Sequence, residues 1–410
     1  MKLTKMSLVA ALLIGSSAFA IENTKVSGNA QLFYQTSDAG DKSFFEAGNS
    51  TADIGVNIDA TTDLVKTDAV AVSAGAGYTV LTTLGLENNL VDGVWGGAHT
   101  YTGNSSSLGA KVDDVSWMRE AWIAGTAGKT TLKAGRMALD TPIAFTEAWT
   151  IEQNTFEAAV VTNEDIPDTT LIGGYIGNSN GTTTTNQSAG SGGIVVAGAE
   201  FSTFGTNGAY VIGAINNSFK PLTLQAWYYD LLEVATSYWL QADLACEKVP
   251  GLMAGVIYNS MMADATGAKE DQVVAAMLGY EMTDTFLAKV AYSQVNSGGT
   301  LGGAGFNTAT DQTYAQSKLY TEAWWNYGQV TMSGAKAVNV TVETPAAGYA
   351  DLGLYVTSVD HTAADSDLLE VTGAVSKSFG PLDTSLVYIY AKTDGSDASN
   401  LIQAYLTLNF

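Results

Sequence analysis

A single cysteine, Cys246, rules out a disulfide framework and reads as a small apolar strand residue. Six prolines in 410 residues leave long stretches uninterrupted. Positive charge is scarce: 18 Lys and Arg face 41 Asp and Glu, a net charge of −23, and only Arg119 and Arg136 are arginines. Phosphate binding needs clustered cations, so nucleic acid is excluded as a partner. The two histidines, His99 and His361, stand alone, which leaves no metal-ligand cluster. His361-Thr362 with Asp365 and Asp367 is the one neighbourhood that could serve a hydrolase, and a polar loop supplies such neighbours by accident. The apolar run at the N-terminus is too short to span a membrane, and no apolar stretch of about 18 residues follows it.

What the chain does have is alternation and glycine. Its 43 Gly, 19 Tyr and many Thr, Asn and Ser fit strands and polar loops. From Leu401 to Phe410 the pattern is strict: Ile402, Ala404, Leu406, Leu408 and Phe410 point one way, and Leu401, Gln403, Tyr405, Thr407 and Asn409 the other. A chain ending on a strand greased on one face is an aggregation hazard in water, but not in a membrane barrel, where that face meets lipid and the edge closes on the first strand. At the other end, Lys2 and Lys5 precede an apolar run from Met6 to Ile14, and Ala18-Phe19-Ala20 has the form of a signal-peptidase site. Residues 1–20 are therefore read as a signal peptide and 21–410 as one barrel domain.

Segments of alternating polarity recur at the spacing that a transmembrane antiparallel β-barrel requires, and eighteen of them are found between Val26 and Phe410. Two further segments, Ile194 to Phe201 and Leu319 to Tyr327, are assigned to outer loops. Counting either would break the rule that short turns lie on the periplasmic side, where Glu247 to Pro250 and Phe379-Gly380-Pro381 are placed. The long outer loops are Leu81 to Asp114, Met137 to Asn154, Gly177 to Gly208 and Asn296 to Asn326. Loops of such composition run in water, so insertions in 178–193 and 297–311 should be tolerated. No repeat of 20 to 50 residues appears beyond the hairpin rhythm.

Alternation also sorts the wall. Asp53, Asp59, Glu157, Asp243, Glu343, Asp351 and Glu370 oppose apolar residues and are assigned to the lumen, with only Lys133 and Lys289 beside them. Such carboxylate-rich walls favour cations over anions. Strict alternation would turn one of Arg119 and Glu120, and one of Lys133 and Arg136, toward lipid, so a bulge or a rim position must intervene. Arg136 is placed at the top of its strand, leading into the loop with Asp140, Glu147 and Glu152, either as a cation facing carboxylates across the lumen or as a salt bridge pinning the loop.

Gly135-Arg136, Leu139-Asp140-Thr141-Pro142, Asn154-Thr155-Phe156-Glu157-Ala158 and Asp165-Ile166-Pro167-Asp168-Thr169-Thr170 together resemble the signature of the Opr-type and major-outer-membrane-protein porins of Gram-negative bacteria. The match is strong over Glu120 to Tyr175, and Ser378 to Leu382 and the closing strand look similar too. The resemblance implies an eighteen-stranded, often trimeric channel in the outer membrane. Lipopolysaccharide would surround it, and the barrel assembly machinery would read its C-terminal strand. The third outer loop, 139–153, would fold inward as an eyelet carrying Arg136, Asp140, Glu147, Glu152 and Glu157. Two arginines cannot build the arginine ladder of the carboxylate-uptake members. No cofactor is expected, although carboxylates in the eyelet could hold Ca²⁺. The function expected is a weakly cation-selective diffusion porin for small hydrophilic solutes. The alternatives are a selective channel for a small cationic or neutral nutrient, an outer-membrane hydrolase, and a secreted β-rich surface protein.

Overall fold

The computed structural model describes residues 22–38, 43–88, 90–93, 114–148, 151–181, 200–310, 315–346, 348–362 and 366–410. The proposed signal peptide, His99 and most of 178–193 lie outside these residues. Eighteen long antiparallel strands form one closed sheet. The first nine are β1 Glu22–Ser37, β2 Ser50–Lys66, β3 Val70–Thr82, β4 Val115–Ala127, β5 Thr130–Met137, β6 Phe156–Asn163, β7 Thr169–Ser179, β8 Ala209–Asn216 and β9 Leu222–Leu231. The rest are β10 Ala235–Ala245, β11 Leu252–Ala263, β12 Asp271–Met282, β13 Phe286–Val295, β14 Ala335–Ala346, β15 Ala350–His361, β16 Leu368–Phe379, β17 Leu382–Thr393 and β18 Ser399–Asn409. A two-residue strip, Ser202–Thr203, pairs with the end of β7.

Each strand is half greasy. On β12, Val274, Leu278, Tyr280 and Met282 are exposed on the outer face, while Asp271, Val273 and Ala275 are buried on the inner one. Tyrosines ring the outer end, with Tyr228 and Tyr238 5.1 Å apart and Tyr175 and Tyr210 5.2 Å apart, and Tyr280 and Phe286 pack at 6.1 Å at the opposite end. Two aromatic girdles flanking an apolar band are the mark of a bilayer-spanning barrel. Among the described residues no helix is long and apolar enough to cross a membrane.

Closure occurs where the terminal alternation predicts it. β1 pairs with β18 from Asn29 opposite Asn409 to Ser37 opposite Leu401. Beyond that register, Gly28 and Phe410 exchange backbone hydrogen bonds of 2.8 and 2.9 Å. Among the described residues the eighteen long strands leave no open edge in the sheet. Leu319 to Tyr327 contains no strand, in line with its assignment to a loop. One outer connection, Leu232 to Val234, is as tight as the periplasmic turns.

The largest apolar cluster lies inside the barrel. Inward-facing Met137, Phe156, Trp239 and Val273 pack there against Ile143 and Ala144 of the third outer loop and against Phe306, Leu319 and Val330 of the seventh, 296–334. The seventh loop was read from sequence as solvated and tolerant of insertion in 297–311. Instead it folds into the lumen, where Ala304, Asn307 and Ala309 are fully buried.

Candidate functional site: the constriction built by two inward loops

The third loop, 138–155, leaves the wall after β5 and re-enters at β6. Its departure is set by Gly135, whose φ of +124° and whose closeness to the Ala121 carbonyl, 2.2 Å from where a Cβ would sit, exclude any side chain. The loop crosses to the inner face of β2, where the Ile151 carbonyl lies 2.8 Å from the Cβ position of Gly55 and accepts a 3.4 Å hydrogen bond from Asn57.

The wall is braced at the point of departure. A bulge in β4 pairs Gly77 with Glu120 and Tyr78 with Met118, leaving Arg119 as the extra residue. Arg119 and Glu120 thereby both face inward, which resolves their conflict with strict alternation. Arg119 is bonded to Asp59 at 2.5 Å, to Glu120 at 3.3 Å and to the Gln153 side chain at 3.3 Å. Lys133 lies 4.2 Å over the Trp122 ring, whose indole N–H donates to Glu120 at 3.1 Å.

Arg136 and Glu157 do not belong to the eyelet. Arg136 pairs with Glu157 across β5 and β6, on the side shared with exposed Leu132 and Val161 and opposite buried Met137 and Phe156, so both face outward. Arg136 donates to Glu157 at 2.8 Å and to the Met118 carbonyl at 3.2 Å, and its guanidinium lies 4.0 Å over the Phe201 ring. Asn178 donates to the other oxygen of Glu157 at 2.6 Å. Here the inner wall is apolar because the third loop packs on it, and the outer wall has risen to the rim, so the usual polarity of the faces is inverted.

The two inward loops lock to each other. Glu147, almost fully buried, accepts from Asn307 Nδ2 at 2.9 Å, Thr310 Oγ1 at 2.9 Å and the Gln316 amide at 3.1 Å. Asn307 also grips the Phe145 backbone, accepting its N–H at 3.1 Å and donating to its carbonyl at 2.9 Å, and the Thr308 amide donates to the Ile143 carbonyl at 2.7 Å. Glu152 is buried in the same loop. Asp140, at the opposite extreme, is 92% exposed and is met by the ammonium of Lys318.

Apart from Glu157, the carboxylates assigned to the lumen face inward, but several act as anchors for the seventh loop. Glu370 accepts from the amides of Trp325 at 3.0 Å and Asn326 at 2.9 Å, and Asp243 from the Tyr320 hydroxyl at 2.6 Å. Asp271, which the sequence reading missed, takes the Leu301 amide at 2.8 Å. Asp53 is buried on the inner face of β2. Lys289 faces inward on β13, with its stem beside Gly279. Glu343 accepts from the Tyr355 hydroxyl at 2.9 Å. With Asp351, Glu281, Asp284, Trp324 and Tyr355 it lines a cavity of about 400 Å³ below the seventh loop at the periplasmic end. Glu322, at the base of that loop, accepts from the amides of Ser317 at 2.7 Å and Ala323 at 3.0 Å. Burial pushes its carboxyl up to about 7, against the pull of those hydrogen bonds and with a further push from Glu147.

A signal for the seventh loop existed in the sequence. Phe306, Leu319, Trp324 and Trp325 are too apolar for a segment that only meets water, unlike the Asn, Gly, Thr and Ser of 178–193. Among the described residues no group of three or more His, Cys, Asp or Glu could hold a metal. The eyelet carboxylates are filled by Asn307, Thr310, Gln316 and Lys318, which does not fit the Ca²⁺ considered from sequence.

A barrel of this size, closed, girdled and constricted by inward loops, aligns over nearly its whole length with solved Pseudomonas aeruginosa structures. OccK9 (OpdG) matches at a TM-score of 0.73 with 14% identity, covering 96% of this chain and 99% of that one. The chain has the fold of the Opd/OccK porins. OpdK, solved with vanillate, gives 0.68 at 12% identity over 95% and 99% of the two chains, and OccK2 (OpdF), solved with glucuronate, gives 0.67 at 11% over 95% and 98%. These neighbours are outer-membrane channels and not enzymes. No protein-family model and no curated sequence matches the chain.

Proposed function

We propose that the protein is an outer-membrane porin whose water-filled lumen, narrowed by the third and seventh loops, passes small hydrophilic solutes with a weak preference for cations. The observation that carries this reading is the imbalance of charge around the passage. Glu281, Asp284, Glu343 and Asp351 line the half-open cavity at the periplasmic end, whereas the inward cations among the described residues are few: Arg119 is engaged by Asp59 and Glu120, Lys318 by Asp140 and Lys133 by an aromatic ring, which leaves Lys289 on β13. Carboxylates without matching cations draw cations into a narrow pore and deplete anions. Both arginines are occupied by carboxylates, one at the wall bulge and one on the outer face, so no arginine track for carboxylate solutes is formed.

A second reading, selective uptake of a small organic cation, is favoured by the cavity in which Trp324 and Tyr355 pack at 4.8 Å beside Glu281, Asp284, Glu343 and Asp351. Liposome swelling separates the two. A diffusion porin admits arabinose, glycine and lysine in order of size with a modest bonus for lysine. A selective channel shows saturable lysine entry and excludes arabinose. Failure of reconstituted, heat-modifiable protein to admit any of them would overturn both.

A further inference from the structure

We propose that Lys318 sets the ion preference of the channel by cancelling Asp140, the most open carboxylate where the two inward loops meet. The inference rests on the diffusion-channel reading but is tested separately from its sign.

Three consecutive residues of the seventh loop each meet a carboxylate. The Gln316 amide donates to Glu147, the Ser317 amide to Glu322, and the Lys318 ammonium to Asp140. The first two contacts are made by neutral backbone donors at buried or packed sites, so they fix position without changing the net charge of the passage. Only the third adds a full charge, and it does so at an exposed carboxylate. The segment itself is held in place: Ser317 pairs with Phe306 by a β-bridge, and Asp140 with Phe145 by another. Lys318 lies 5.1 Å over the ring of that same Phe145. One cation from the seventh loop therefore rests on both arms of a turn in the third.

Among the described residues no other inward cation is placed to do this. Arg119 is 7% exposed and belongs to the wall. Lys133 and Lys289 stand on strands and not on either loop. A unit charge 5 to 8 Å from the permeation path in salt water biases each ion by roughly 1.4- to 2-fold, in opposite senses for the two signs, so the permeability ratio moves about two- to fourfold.

The test is the zero-current potential of the full-length, bilayer-reconstituted protein in a dilute KCl gradient. Lys318→Gln should move the cation-to-anion permeability ratio about two- to fourfold toward cations, and Lys318→Glu further in the same direction. Asp140→Asn should move it the opposite way by a similar factor, Lys318→Gln with Asp140→Asn should return it to the unmodified value, and Lys318→Arg should leave it there. Lys392→Gln, on the outer face of β17, should have no effect. The proposal is overturned if Lys318→Gln and Lys318→Glu leave the ratio unchanged or move it toward anions, or if Lys392→Gln moves it as far. An anion-selective unmodified channel would remove the cation-selective reading, yet the direction of the Lys318 shifts would still decide this proposal.

Discussion

Replacing Glu147 by alanine should loosen the constriction without unfolding the barrel. The carboxylate is almost fully buried and takes three donors, the side chains of Asn307 and Thr310 and the amide of Gln316. Hydrogen bonds to a charged group contribute about 1.5–3 kcal/mol each, and each buried donor left unmet costs about 1–3 kcal/mol. Pore water can recover part of this once the loops part, so roughly 3–5 kcal/mol of coupling between the loops is lost, similar to breaking a buried charged pair. The grip of Asn307 on Phe145 and of Thr308 on Ile143 remains. Loops open locally at a cost of only a few kcal/mol, so a loss of this size turns a single latched state into a mixture. Single-channel recordings should show a raised mean conductance with millisecond flicker for Glu147→Ala and Asn307→Ala, and a weaker effect for Glu147→Gln. Quiet channels of unmodified conductance in both alanine variants would refute the latch.

Deleting Phe410 removes the backbone exchange with Gly28 together with the apolar end of the closing strand, and replacing it by Asp removes the apolar end alone; each should sharply lower the amount of heat-modifiable protein in the outer membrane. An epitope inserted between Gly302 and Gly303 should abolish folding or conductance, because the neighbouring amides are held by Asp271 and the loop is buried, whereas one placed in 247–250 should fold and stay unreachable in intact cells. Cation preference should rise between pH 6 and pH 8 as Glu322 ionises about 7, and Glu322→Gln should flatten that step. Since an unfolded Glu titrates near 4.3, about the usual value, the raised carboxyl holds its proton more tightly in the fold. Its ionisation therefore costs stability progressively as pH rises from there through 7, and Glu322→Gln should gain loop protection from proteolysis at pH 8 and not at pH 4.

The wall was legible because its signal is local. Lipid on one side writes a period of two into each strand, and Leu401 to Phe410 or Val274 to Met282 can be read without knowing their neighbours. The inward direction of Asp243, Glu343 and Glu370 follows from the same period. What they do with their charge does not, since their partners Tyr320, Tyr355 and Trp325 are set by the fold. The latch between Glu147 and Asn307 joins residues 160 apart in sequence, and no periodicity records such a pair. Glu157 shows where the local rule inverts. Phe156 looks like a lipid-facing residue, but it is buried beneath the third loop against Phe204, 6.0 Å away, which turns Glu157 outward to Arg136.

The central claim, a water-filled passage lined by an excess of carboxylate, meets its most direct test in the zero-current potential of the unmodified protein. A tenfold KCl gradient would be applied first in dilute and then in concentrated salt. The account predicts stable conductance with a potential of cationic sign in dilute salt that shrinks as the Debye length contracts from about 10 Å at 0.1 M to about 3 Å at 1 M. A potential of anionic sign, or a cationic one that ignores salt, would contradict it.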